Sequence, residues 1–262
     1  MLLIAVILGI IEGMTEFLPV SSTGHLILFG DLLGFEGPKG KTFEIVIQLG
    51  AILAICWLYR EKLFSTLKGT IALKKTDINF VSGILIAFLP AMVLGALFHS
   101  TIKEHLFNPI SVSIVLIIGG VAILLAERFK PKASYKKLET LPLPLCLKIG
   151  IFQCLALVPG TSRSGATIIG ALLLGVERKA AAEFSFFLAI PTMFAATVFQ
   201  IYKNWQDLNM DGIQLVIVGF VVAFVTALFV VRWAIGYIER HGFTPFAYYR
   251  IALGILMLIL LS

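Results

Sequence analysis

The chain has 262 residues, 59% of them hydrophobic and only 14% charged, with a mean hydropathy of +0.99; a soluble domain carries roughly 25% charged residues. That composition excludes a soluble globular enzyme and points to an integral membrane protein. The formal charge of +6 does not indicate a nucleic-acid partner, because Lys and Arg fall in short segments between apolar runs, where they set orientation in the bilayer.

In chain order, the first element is the apolar decamer 2–11, which runs straight into Glu12 without a basic start or a small-residue cleavage site, unlike a signal peptide. At about 1.5 Å per residue it is too short to span a core of about 30 Å. It leads into "EGMTEFLPVSSTGH" (12–25), two carboxylates, a run of hydroxyls and a histidine inside a hydrophobic region. Segment 44–59 follows, then a basic stretch (60–75) expected as a loop, and then the clear spans 78–98 and 110–126. A second basic stretch (127–140) precedes another short apolar segment, 145–158, which ends in "PGTSRSGAT" (159–167). Segment 183–202 and the spans 213–231 and 246–262 complete the chain. The three cysteines, Cys56, Cys146 and Cys154, lie in apolar segments without CxxC spacing and read as small core residues.

Shifting the sequence by 141 positions lays "SSTGHLILFGDLLGFE" (21–36) over "SRSGATIIGALLLGVE" (162–177) with seven identities in sixteen positions. Gly9-Ile10 then meets Gly150-Ile151, and Phe43 meets Phe184. The period far exceeds that of a solenoid unit, so the unit is half of a membrane fold. Basic segments 60–75 and 127–140 belong in the cytoplasm, "HSTIKEH" (99–105) and 203–212 outside, and Arg232 to Arg250 at the inner surface. Segment 44–59 then runs inward and 183–202 outward, giving two halves of opposite topology; Lys39 and Lys41, in a loop this scheme puts outside, run against it.

The expected fold is an all-α polytopic membrane protein of about ten helices, forming one membrane domain. Its repeat halves (about 1–127 and 141–262) are joined by the basic cytoplasmic loop 127–140. Each half holds a re-entrant helix-loop-helix hairpin (2–35 and 145–176) and three transmembrane helices. Interrupted segments at matching points of two halves mark a site near the bilayer midplane, and irregular backbone at that depth must line a cavity or be buried in protein.

Glu12 and Glu16, four residues apart, share a helix face; paired carboxylates within a membrane are functional candidates and suit a bound cation. Pro19 ends the first helix, and Ser21, Ser22 and Thr23 offer hydroxyls and N–H groups at the next helix start, which attracts an anion, although an N-cap alone also accounts for Ser21 or Thr23. His25 is a candidate general acid. In the second half Arg163 is the only charge between Ile149 and Val176; its fork grips phosphate, and Ser162, Ser164 and Thr167 complete a cradle. An internal pair with Glu12 or Glu16 is the alternative partner for Arg163.

With "FEIVIQLGAILA" (43–54) and "AAEFSFFLAIP" (181–191), these motifs resemble the undecaprenyl-diphosphate phosphatases of bacteria, the bacitracin-resistance family, over essentially the whole chain; the ExxxE and PGxSRSxxT signatures are both intact. The resemblance implies removal of the terminal phosphate from a fifty-five-carbon lipid diphosphate, regenerating the carrier for cell-wall polymer synthesis. It also implies a divalent cation, Mg2+ or Ca2+, and a site in the bacterial inner membrane opening to the outer face. The family's acidic pair falls on Glu12 and Glu16, its serine and histidine on Ser22 and His25, and its phosphate-binding set on Ser162, Arg163 and Thr167. Ser22 would attack phosphorus with help from Glu16, with Arg163 and the metal stabilising oxygens, His25 assisting the leaving group and Glu12 holding metal; attack by metal-activated water fits the same residues. Expected partners are the polyprenyl diphosphate and the bilayer, a homodimer being compatible with both. The rival reading is a secondary transporter or flippase for an anionic lipid or small anion.

Overall fold

A computed structural model describes residues 1–35, 42–106, 108–203 and 212–261, with the backbone alone for 99–106 and 203. Among the described residues there are eleven α-helices and no strand: α1 (Leu2–Thr15), α2 (Ser22–Leu32), α3 (Thr42–Leu58), α4 (Arg60–Ile71), α5 (Lys75–Leu106), α6 (Pro109–Phe129), α7 (Leu143–Gln153), α8 (Arg163–Leu173), α9 (Arg178–Lys203), α10 (Ile213–His241) and α11 (Thr244–Leu261). Five helices are long and apolar enough to cross a membrane, α5, α6, α9, α10 and α11. Large apolar side chains are left outward along them, such as Ile114, Ile118, Val121 and Leu125 on α6, or Ile217, Val221, Val225 and Phe229 on α10. A stripe of that length is lipid-facing surface.

The expected loop 60–75 is instead helical. α4 follows α3 at a bend of 70°, carrying Lys62 and Lys68 together with exposed Phe64, Leu67 and Ile71. Apolar residues spaced three and four apart beside cations suit the membrane–water boundary.

One end of the bundle is defined by polar contacts. Glu127, at the end of α6, accepts from Arg178 Nε and Nη2 at 3.1 and 2.7 Å, from Lys130, and from the backbone N–H of Phe243 between α10 and α11. Asn79, near the start of α5, donates to the carbonyls of Glu139 and Leu141. Lys62 donates to Glu139 at 2.5 Å. Partial burial pushes the Glu139 carboxyl up, but the Lys62 ammonium beside it outweighs that and holds it below the usual carboxylate range. Thus α3 and α6 run toward this face, while α5, α7, α9 and α11 leave it. α10 runs toward it.

The short helices follow their partners. Gly9 and Gly13 of α1 meet Gly219 and Ala223 of α10 in increasing order, so α1 runs with α10; Cys146 and Gly150 of α7 meet Gly83 and Ala87 of α5 likewise. Each pair related by the 141-residue shift, α1/α7, α3/α9, α5/α10 and α6/α11, therefore runs in opposite senses. The halves also interlock: α10 packs on α1 and α3 of the first half, as α5 packs on α7 and α9 of the second.

One sequence placement needs correction. Arg250 is not at the inner surface but fully buried inside the bundle, roughly 9 Å along α11 at 1.5 Å per residue, because the carbonyls of both hairpin turns draw it inward. Lys39, Lys41 and segment 204–211 lie outside the described residues, as do the side chains of 99–105.

Candidate active site

The two hairpins are built alike. α1 stops after Thr15, and Glu16 to Val20 turn toward Ser21, the N-cap of α2; α7 ends at Gln153, passes through a short 3-10 turn (154–157) and reaches Ser162, the N-cap of α8. Each cap hydroxyl accepts from the N–H three residues on, Gly24 at 3.4 Å and Gly165 at 3.1 Å. Both caps hold positive φ, 70° and 72°. Serine rarely occupies that region, and such strain persists only where surrounding structure over-determines it, commonly at functional sites.

Between the hairpins lies a cavity of about 770 Å³. Glu12, Glu16, Ser21, Ser22 and Thr23 line it from the first half, and Ser162 and Arg163 from the second. Ser22 Oγ donates to Glu16 Oε2 at 2.5 Å, and Arg163 Nη2 donates to Glu16 Oε1 at 3.2 Å. A hydroxyl, a carboxylate and a guanidinium thus form one chain across the repeat interface. Arg163 is further oriented by the Ser185 carbonyl (2.9 Å) and hydroxyl (3.3 Å) and lies over the Phe17 ring. Two buried atoms here have no partner among the described residues, Glu12 Oε1 and Arg163 Nε. Leaving a buried polar atom unpaired costs about 1–3 kcal/mol, so both are sites where a ligand would gain a bond.

Three expected residues are not brought to the cavity wall. Ser164 is wholly buried and donates to the Leu18 carbonyl at 2.7 Å, joining the second hairpin to the first. Thr167 bonds Ser185 Oγ and the carbonyls of Arg163 and Ser164, bracing the arginine from behind. His25 lies 2.8 Å from the Ser21 carbonyl through Nδ1 and 2.6 Å from the Tyr249 hydroxyl through Nε2. A carbonyl only accepts, so the neutral ring carries its proton on Nδ1 and takes the tyrosine proton at Nε2. Nδ1 thereby holds the strained cap, and Nε2 ties the ring to Tyr249 of α11.

A family model of the bacitracin resistance protein BacA matches residues 5–256. The chain belongs to that family. It is 52% identical over 257 residues to Undecaprenyl-diphosphatase 2 of Paramagnetospirillum magneticum, covering 98% of each chain. It is 54% identical over 259 residues to the undecaprenyl-diphosphatase of Nitrosospira multiformis, covering 99% of this chain and 94% of that one. The family expected from the two motifs is the one found.

Sequence reasoning missed several residues that the structure places against the candidate site. Ser185 stands where the repeat places Glu44 in the first half, which lines the same cavity, so the alignment held the signal. Tyr249 and Arg250 form an unusual polar pair inside an apolar span. An intramembrane arginine is a functional candidate by default, whatever the charge count of its neighbours.

Proposed function

We propose that the chain hydrolyses a polyprenyl diphosphate to the monophosphate and inorganic phosphate, undecaprenyl diphosphate being the substrate that the relatives' names specify, and so returns a lipid carrier to cell-wall synthesis. The observation that carries this reading is the Ser22–Glu16–Arg163 chain in a cavity within an all-helical membrane bundle. A site built only to bind an anion needs the arginine and N–H donors but no hydroxyl bonded to a buried carboxylate, which favours chemistry over the transporter reading.

Ser22 Oγ attacks the terminal phosphorus as Glu16 takes its proton; the bond from that phosphorus to the bridging oxygen breaks and the lipid monophosphate leaves. Water then attacks the phosphoserine, releasing phosphate, and Glu16 returns a proton to Ser22. Arg163 turns its unpartnered Nε and one Nη toward the terminal phosphate oxygens, where preorganised positive charge lowers the barrier. His25, held away from the cavity, keeps Ser21 and hence Ser22 in place.

Glu12 and Glu16 suit a hard divalent cation, Mg2+ or Ca2+, since Glu12 Oε1 is a buried acceptor without a partner among the described residues. Among the described residues no three His, Cys, Asp or Glu side chains form a metal-binding group, so phosphate and water would supply the remaining ligands, as Mg2+ commonly requires. When bound, the cation would neutralise charge on the diphosphate oxygens.

The site reads as open to the outer face, because the polar end joined by Glu127 and Glu139 carries the basic segments 60–75 and 127–140, which belong inside. The test is phosphate release by the purified chain in detergent with magnesium, then with chelator. Glu16→Gln and Ser22→Ala each should lose at least about a thousandfold in kcat, as removal of groups that act as a unit does. Release by Ser22→Ala above about a tenth of wild type would move the attack to water; no release by folded wild type would return the reading to transport.

A further inference from the structure

Arg250 is wholly buried, yet no carboxylate pairs with it among the described residues. Its donors all go to backbone carbonyls: Nε to Leu116 at 3.3 Å, Nη1 to Pro19 at 3.1 Å and Thr161 at 2.8 Å, Nη2 to Gly160 at 2.9 Å and Val115 at 3.5 Å. A guanidinium has five N–H donors, and all five are used. Pro19 and Gly160 are equivalent positions under the 141-residue shift, each two residues before a strained serine cap. One side chain thus bridges the same carbonyl of both hairpins and ties them to α6.

The space is shaped for it. A Cβ on Gly119 would lie 2.1 Å from Nη2, and one on Gly165 3.1 Å from Nη1. A charge in the membrane core costs several kcal/mol, whereas turn carbonyls could be satisfied by neutral donors or water. What the guanidinium adds is a planar fork of fixed width that spans two chain segments at once.

We propose that Arg250 is the positioning residue that sets the distance between the two halves of the site, and so between Ser22 with Glu16 on one hairpin and Arg163 on the other. Lysine, with one ammonium on a flexible stem, carries the charge but cannot hold both turns. A misplacement of about 1 Å between reacting groups costs about a hundredfold in rate.

The inference rests on the phosphatase reading only for its kinetic test. The full chain is purified with Arg250→Lys and Arg250→Met, kcat and KM are measured on a polyprenyl diphosphate, and thermal midpoints are recorded. Separately, spin labels at Leu26→Cys and Leu157→Cys, which line the cavity from opposite hairpins, report the inter-hairpin distance with the native cysteines replaced. Arg250→Lys should keep a cooperative melt, lose about a hundredfold in kcat with KM within about threefold, and broaden the distance distribution. Wild-type kcat in Arg250→Lys, or an unchanged distance distribution with activity lost, overturns the proposal. Should Arg250→Met fail to fold, the lysine variant still decides. If wild type releases no phosphate the phosphatase reading fails, and the distance measurement alone judges the clasp.

Discussion

Ser21 and Ser162 perform two conflicting tasks, accepting an N–H as a cap while holding φ near 70°. The cap is worth about 1 kcal/mol against alanine and only a few tenths against glycine, and the unusual backbone costs about 1–3 kcal/mol in a residue with a Cβ. Ser162→Gly should therefore melt at or above the wild-type temperature, and Ser162→Ala below it, as read by thermal unfolding in detergent. An alanine variant as stable as the glycine one would show that the backbone is not strained. Both should release phosphate more slowly, since each removes a hydroxyl from the cavity wall. Much of the candidate site was legible in the sequence: Glu12, Glu16 and Arg163 were recognisable from charge in an apolar setting, and Ser22 from the family resemblance. What was hidden was direction. Ser164 and Thr167 look as suitable for phosphate as Ser162, but on α8 they face the protein, and His25 faces α11 rather than the cavity. No local pattern says which side of a turn becomes the wall.

At the scale of elements, the carboxylates are placed by close helix contact. Gly9 and Gly13 on α1 form a small-xxx-small stripe against Gly219, Ala223 and Ala227 of α10, and a Cβ on Gly13 would lie 2.6 Å from the Ala223 carbonyl oxygen. Without a hydrophobic drive between helices in lipid, such close approach is the main source of their association. Gly13→Val should push α1 from α10, destabilise by about 1–3 kcal/mol as overpacking does, and lower phosphate release because Glu12 and Glu16 ride on the displaced helix. A Cβ on Gly236 of the same α10 would meet nothing within 4 Å; Gly236→Ala should be neutral or up to about 1 kcal/mol stabilising through helix propensity. Equal effects of the two on the melting temperature would remove the packing argument. The existence and order of the spans were legible from hydropathy, but α10 runs on to His241, ten residues past the expected end at 231, and α5 to Leu106, eight past the expected end at 98. α4 was not legible, because a boundary helix mixes lysines with exposed Phe64 and Leu67, and its average resembles that of a loop.

For the whole molecule, the opposite senses of the halves were readable from where Lys and Arg fall, but their interlocking was not, since nothing in a linear pattern says that α10 packs on α1 and α3. Arg250 belongs to the same lesson: charge counting assigned it to a surface, and only the meeting of both hairpin turns explains its burial. The interlocking carries a consequence. Each half leaves a long helix whose main partners lie in the other half, so neither half can bury its own interfaces. The connection between them, by contrast, is exposed at Lys132 and Ala133 and is pinned on either side by Lys130 with Glu127 and by the pairing of Tyr135 with Val176. Fragments 1–132 and 133–262 expressed together should therefore assemble, co-purify through a tag on one of them, and release phosphate at a rate within about tenfold of the intact chain, the loss reflecting the association entropy the covalent link had removed. Either fragment alone should be degraded or aggregate and release none, because Glu16 and Ser22 lie on one piece and Arg163 on the other. Activity from a single fragment would mean that one hairpin suffices for the chemistry, and the shared site would have to be abandoned.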